Sequence, residues 1–170
     1  TDAMPVQIRL DSLRAGIWDG ANRNYSIGVG ALDSVTTGKG NVAMGQKALF
    51  KDKTGNNNVA IGDSALLSNT VSGTVAIGSK ALRSNTTGDN NTAVGYQALM
   101  NSTTSSNTAI GYKSLSSNTT GFSNTAVGSE TLKNNTSGLA NIAVGTGALF
   151  NNTTGVANIG VGQIALVNNT

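Results

Sequence analysis

The chain has 170 residues, of which 22 are Asn, 21 Thr, 17 Ser and 22 Gly, while aromatic residues make up 4% and charged residues 11%. With no His and no Cys, the commonest general base, the thiolate nucleophile, disulfide stapling and nearly all zinc and haem ligation are excluded together. Net charge is only +3, the basic residues are spread thinly, and residues 134–170 carry no charged side chain, so a nucleic-acid partner is not expected. No catalytic residue, cofactor or metal is expected either. The sequence holds no apolar run of about 18 residues and no charged-then-apolar start, so neither membrane insertion nor a signal peptide is expected.

Residues 1–23 form a first segment. Val6, Ile8 and Leu10 alternate with Gln7, Arg9 and Asp11, which predicts a strand, and Leu13, Ile17 and Trp18 continue the apolar series. Because repeat arrays need atypical ends, this segment is expected to cap the coil that follows or to join it to an upstream segment.

Residues 24–170 repeat. A Gly preceded by Ile, Val or Met recurs at Gly28, Gly45, Gly62, Gly78, Gly95, Gly111, Gly128, Gly145 and Gly162, at spacings of 16 or 17. Four residues after each comes a Leu: Leu32, Leu49, Leu66, Leu82, Leu99, Leu115, Leu132, Leu149 and Leu166. Four residues before comes Asn24, Asn41, Asn58, Asn91, Asn107, Asn124, Asn141 or Asn158, with Thr74 as the exception. The consensus is N-[VTI]-A-[IV]-G-x-x-A-L-x-x-N-T-T-G-x-x. A disordered chain of similar composition lacks such a period.

Each unit reads as one coil of an all-β parallel solenoid, nine coils of 16 to 17 residues. N-x-A-[IV]-G suits a strand and A-L-x-x-N a second one, with Gly supplying the turns. Stacking places like on like. The Leu column and the Ile/Val/Met column (Ile27, Met44, Ile61, Ile77, Val94, Ile110, Val127, Val144, Val161) are expected in the core, and the Asn column is expected to form an amide ladder. The first strand is apolar or small on both faces, with Val59 and Ile61 on one and Ala60 on the other, which calls for a second layer, most simply another copy of the chain. Asn168, Asn169 and Thr170 stop inside the ninth turn, so the array is expected to be a piece of a longer one.

Asn91 to Leu99 (NTAVGYQAL) and Asn118 to Gly121 (NTTG) resemble the head repeats of trimeric autotransporter adhesins, the YadA-like left-handed parallel β-roll. They resemble still more closely the arrays of this type in tail-fibre-type proteins of phages and other viruses. The resemblance covers residues 24–170. It implies a homotrimeric, left-handed β-roll fibre on a virion or bacterial surface, working in adhesion or host attachment. Two features depart from these families: adhesin heads usually run a shorter repeat without the N-T-T-G extension, and neither a membrane anchor nor a carboxy-terminal chaperone domain is seen.

The leading expectation is therefore a structural fibre segment, a virion tail fibre ahead of a bacterial adhesin head, whose partners are its own copies and a cell-surface glycan or protein receptor. An ice-binding solenoid is a minor alternative: Thr92, Thr108 and Thr125 align, but the adjacent pairs Thr86/Thr87, Thr119/Thr120 and Thr153/Thr154 are expected to point to opposite faces. A glycan-cleaving spike would need paired carboxylates, for which Asp52 and Asp63 are the best placed, although both read more simply as solvated turn residues. Receptor contacts would use positions where coils differ. Candidates are Tyr96 and Tyr112, which share a turn position in neighbouring coils, Phe122, and the Lys47, Lys51 and Lys53 cluster.

Overall fold

The computed structural model describes residues 6–10 and 13–169. One sheet of eleven strands runs through it in sequence order. Strands β1 (Val6–Leu10) and β2 (Leu13–Asp19) form an antiparallel hairpin, and β2 pairs antiparallel with β3 (Asn24–Ile27). From β3 onward every pairing is parallel, through β4 (Val42–Met44), β5 (Val59–Ile61), β6 (Val75–Ile77), β7 (Thr92–Val94), β8 (Thr108–Ile110), β9 (Thr125–Val127), β10 (Ile142–Val144) and β11 (Ile159–Val161). The chain is an all-β solenoid whose register puts Val59 beside Val75, Ala60 beside Ala76 and Ile61 beside Ile77. The strand expected at residues 6–10 is present; the inward or outward direction of its side chains, like Thr170, lies outside the described residues.

Each coil contains one strand, not two. The A-L-x-x-N segment is a turn because every Leu of the column is left-handed, with φ between 47 and 52°. Such a backbone costs an L-residue roughly 1 to 2 kcal/mol, while burying Leu contributes about 1.5 to 3 kcal/mol, so burial outweighs the strain. Stacking adds a further bond: Leu32 N–H donates to the Ala48 carbonyl of the next coil at 3.0 Å, and Leu99 N–H to that of Ser114 at 3.0 Å.

The core is built mainly from Leu and Ala, with Val35 packed against it and Ser114 and Thr131 buried in place of the Ala that precedes Leu. Leu32 through Leu149 are fully buried, together with the strand-centre Ala43, Ala60, Ala76, Ala93, Ala109, Ala126 and Ala143. The Ile/Val/Met column is not in this core; it lies on the opposite, outward face of each strand, where Ile77, Ile110 and Val144 stay exposed. The coil is too narrow for the alternative. At Gly160, which occupies a strand centre, an added Cβ would already sit 3.2 Å from Leu149 Cγ, so the lumen admits a methyl group and no more.

Two polar columns flank this core. Asn24, Asn41, Asn58, Asn91, Asn107, Asn124 and Asn141 are buried, but they serve the backbone more than one another. The Asn24 Oδ1 accepts the Asn41 N–H at 2.9 Å and its Nδ2 donates to the Gly38 carbonyl at 2.7 Å. Side-chain-to-side-chain rungs in this column run only from Asn107, as in Asn141 Nδ2 to Asn124 Oδ1 at 3.1 Å. Amide rungs form instead in the Asn column of N-T-T-G, in two runs separated by Ser102: Asn85 Nδ2 donates to Asn69 Oδ1 at 3.0 Å, Asn135 Nδ2 to Asn118 Oδ1 at 3.0 Å and Asn152 Nδ2 to Asn135 Oδ1 at 2.9 Å. The two 16-residue coils lack the Gly of N-T-T-G, and the carbonyls of Val71 and Thr104 take over its role, accepting from Asn58 and Asn91 at 2.7 Å.

Candidate binding surfaces

The first surface is the outward face of the parallel sheet. Alternation within N-x-A-[IV]-G turns the x and [IV] residues away from the Ala-Leu core, so two columns run along the rod from Tyr25 and Ile27 to Ile159 and Val161. Neither column contains a charged residue. Trp18 extends it onto β2, its ring 5.9 Å from that of Tyr25. Thr92, Thr108 and Thr125 sit in the x column in direct register and half-buried.

The second surface is the arc that follows the strand Gly. Tyr96 and Tyr112 stack face to face, with ring centroids 5.7 Å apart and planes at 11°, and both are exposed. Gln97 Nε2 donates to the Tyr96 hydroxyl at 3.1 Å, and Lys113 Nζ lies 5.1 Å from the Tyr112 ring centroid. Tyr112 beside it raises the pKa of Lys113 above the ordinary lysine value. Lys47 is exposed and two residues after its Gly, the same position as Lys80 and Lys113. Repeat numbering alone exposes this column, which counting charges along the linear sequence misses.

The remaining sequence candidates do not join this arc. Lys51 and Lys53 are exposed but sit in two other columns, and Phe122, also exposed, lies beyond the N-T-T-G turn. In the Thr pairs of N-T-T-G both residues are exposed, because they occupy a bend where strand alternation does not apply. Many of their hydroxyls are committed to the next coil, as in Thr119 Oγ1 to the Thr136 carbonyl at 3.1 Å. A shallow cavity of about 490 Å³ opens at the first shortened coil, between Val71, Gly73 and Asp89.

Asp52 is not a solvated turn residue. It takes the Asn position of the N-T-T-G ladder, is fully buried, and accepts from Gly55 N–H at 2.7 Å, Asn58 Nδ2 at 3.1 Å and Asn69 Nδ2 at 3.4 Å. Burial pushes its pKa above the ordinary carboxylate value, against the lowering effect of those bonds. Asp63 is exposed, beside Ser64 Oγ at 3.3 Å, so the two carboxylates occupy unlike environments. Among the described residues no group of three His, Cys, Asp or Glu is placed to hold a metal ion, and no helix is long and apolar enough to cross a membrane.

No protein-family profile, curated protein or solved structure matches the chain. The reading of function therefore rests on these surfaces and on the repeat.

Proposed function

We propose that the chain is a rod segment of a homotrimeric, left-handed β-roll fibre that mediates surface attachment, as part of a virion tail fibre engaged in host adhesion. The observation that carries this reading is the outward face of the sheet: two uncharged, largely apolar columns along the whole array, with the charges confined to other arcs of the coil. Exposed, largely apolar surface of this kind marks an association face, and the repetition of similar rungs favours a symmetric partner, another copy of the chain. Parallel copies packed on this face would bury Val59, Ile61, Val75 and Ile77, leaving their strands covered on both faces. The N-T-T-G extension of each repeat supports a tail fibre over an adhesin head. Attachment would then use the positions at which coils differ, including Tyr96, Tyr112, Phe122 and the Lys47, Lys51 and Lys53 group.

The test is adhesion. Beads coated with the chain are expected to attach to candidate host cells, and beads coated with Ile77→Lys/Ile110→Lys, which removes association, are expected to attach far less. Coated beads that attach to no cell type tried would overturn the reading.

A further inference from the structure

We infer that the arc carrying Lys47, Lys80, Lys113, Tyr96 and Tyr112 is a track for a linear acidic polysaccharide lying along the rod; this rests on the attachment reading and names its ligand class. The three lysines stand two residues after Gly45, Gly78 and Gly111, in alternate coils, with nearly the same left-handed backbone (φ 54, 59 and 52°). Alternate coils are two rungs apart, which at about 4.8 Å per rung separates successive lysines by roughly 9.6 Å. That is about the span of two linked pyranose rings, so a polymer with one acidic group per disaccharide meets each lysine in turn.

The Tyr96–Tyr112 stack occupies the adjoining column, Tyr96 in the coil between those of Lys80 and Lys113 and Tyr112 in the coil of Lys113, and the two residues are 42% and 46% exposed. The apolar C–H face of a pyranose packs against such rings while its hydroxyls stay in water. Gln97, bonded to the Tyr96 hydroxyl at 3.1 Å, places an amide beside the stack. Arg83 stands three residues after Lys80 and adds a further positive charge. Among the acidic residues, Glu130 stands in the lysine column itself, one coil after Lys113, and is held by Lys133 Nζ at 2.7 Å; Asp63 stands in the tyrosine column beside Ser64, and Asp33 follows Leu32. None of the five track side chains belongs to the Leu-Ala core or to the apolar face of the sheet. Duplex DNA fits less well: it carries a charge every ~1.7 Å of axis, and a column of three lysines leaves most of those phosphates unneutralised.

The test compares surface-bound full chain against dextran, dextran sulfate, polygalacturonate and duplex DNA of matched length by interferometry. Binding of the two acidic polysaccharides, absent for dextran and weakening as salt rises, is expected. Lys47→Gln/Lys80→Gln/Lys113→Gln is expected to weaken it by about tenfold or more, as three exposed ion pairs would. Tyr96→Ala/Tyr112→Ala is expected to weaken it severalfold, with unchanged circular dichroism in both variants. Equal binding of dextran, DNA binding as tight as polygalacturonate, or full binding by the triple Gln variant would overturn the inference. Bead adhesion separates the two readings: triple-Gln beads that attach to cells as well as wild type would refute the track and leave attachment standing, whereas wild-type beads that attach to nothing would refute attachment itself.

Discussion

Ala76 and Ile77 are adjacent in β6, yet Ala76 is fully buried against the Leu column while Ile77 is 37% exposed on the outward face. Small side chains fill the coil and large ones face out, the reverse of an ordinary half-buried strand. Ala76→Val is therefore expected to overpack the lumen and cost about 1 to 3 kcal/mol. Ile77→Ser is expected to leave the coil intact and, by weakening association, to make melting depend less on protein concentration. Melts at two concentrations separate the effects, and a larger intrinsic loss from Ile77→Ser would contradict the assignment.

Leu99 is fully buried, whereas Gln97 is part-exposed in the turn two residues earlier. Both have positive φ, 50 and 57°, so replacing each with Ala keeps the backbone strain similar and compares side chains alone. Leu99→Ala is expected to cost about 2 to 5 kcal/mol and Gln97→Ala within about 0.5. Denaturant unfolding of the two variants measures the difference.

The period, the parallel stacking and the Leu column were legible because each is a matter of spacing. The direction of the strand was not. Alternation identified two faces in Val59-Ala60-Ile61, but hydrophobicity points the larger residues inward, and only the narrow lumen seen at Gly160 reverses that choice. The second strand expected at A-L-x-x-N is absent because nothing in A-L signals that Leu adopts φ near 50°. The N-T-T-G Asn column read as turn chemistry, and its second role, an interior amide ladder, needs the stacking of coils to appear. The Tyr96–Tyr112 pair was visible from the repeat register, while the lysine column required attention to alternate coils.

Asp52 puts a buried carboxylate into the N-T-T-G Asn column, where it accepts from Asn69 Nδ2 at 3.4 Å. Its native pKa is raised, so its stabilising contribution is present below the ordinary carboxylate value and is lost as pH rises through the native one. Asp52→Asn can adopt the geometry of Asn85, whose Oδ1 accepts Gly88 N–H at 3.1 Å and whose Nδ2 donates to the Gly88 carbonyl at 2.8 Å. The variant is expected to melt higher at pH 7, by about 3 °C for ~1 kcal/mol, with the gap closing toward acid. A gap independent of pH would show that the charge is not its cause.

Gly128 has φ 135°, and a Cβ there would lie 2.8 Å from the Gly145 carbonyl oxygen of the next coil. Gly128→Ala is expected to destabilise by about 3 kcal/mol through backbone strain and lost coil stacking. Ala140, an exposed residue in a short left-handed bend, is the control: Ala140→Gly is expected to be neutral or slightly stabilising. Thermal melts of both variants provide the check.

In the proposed fibre, the apolar outer face of the sheet joins three copies of the chain. Sedimentation velocity of the wild type against Ile77→Lys/Ile110→Lys tests it most directly. The wild type is expected to sediment as a single species of three times 17.1 kDa, and the variant as a folded species of 17.1 kDa that retains its β circular dichroism. A wild-type chain that remains a stable monomer at all concentrations, or a trimer that survives both lysines, would contradict the account.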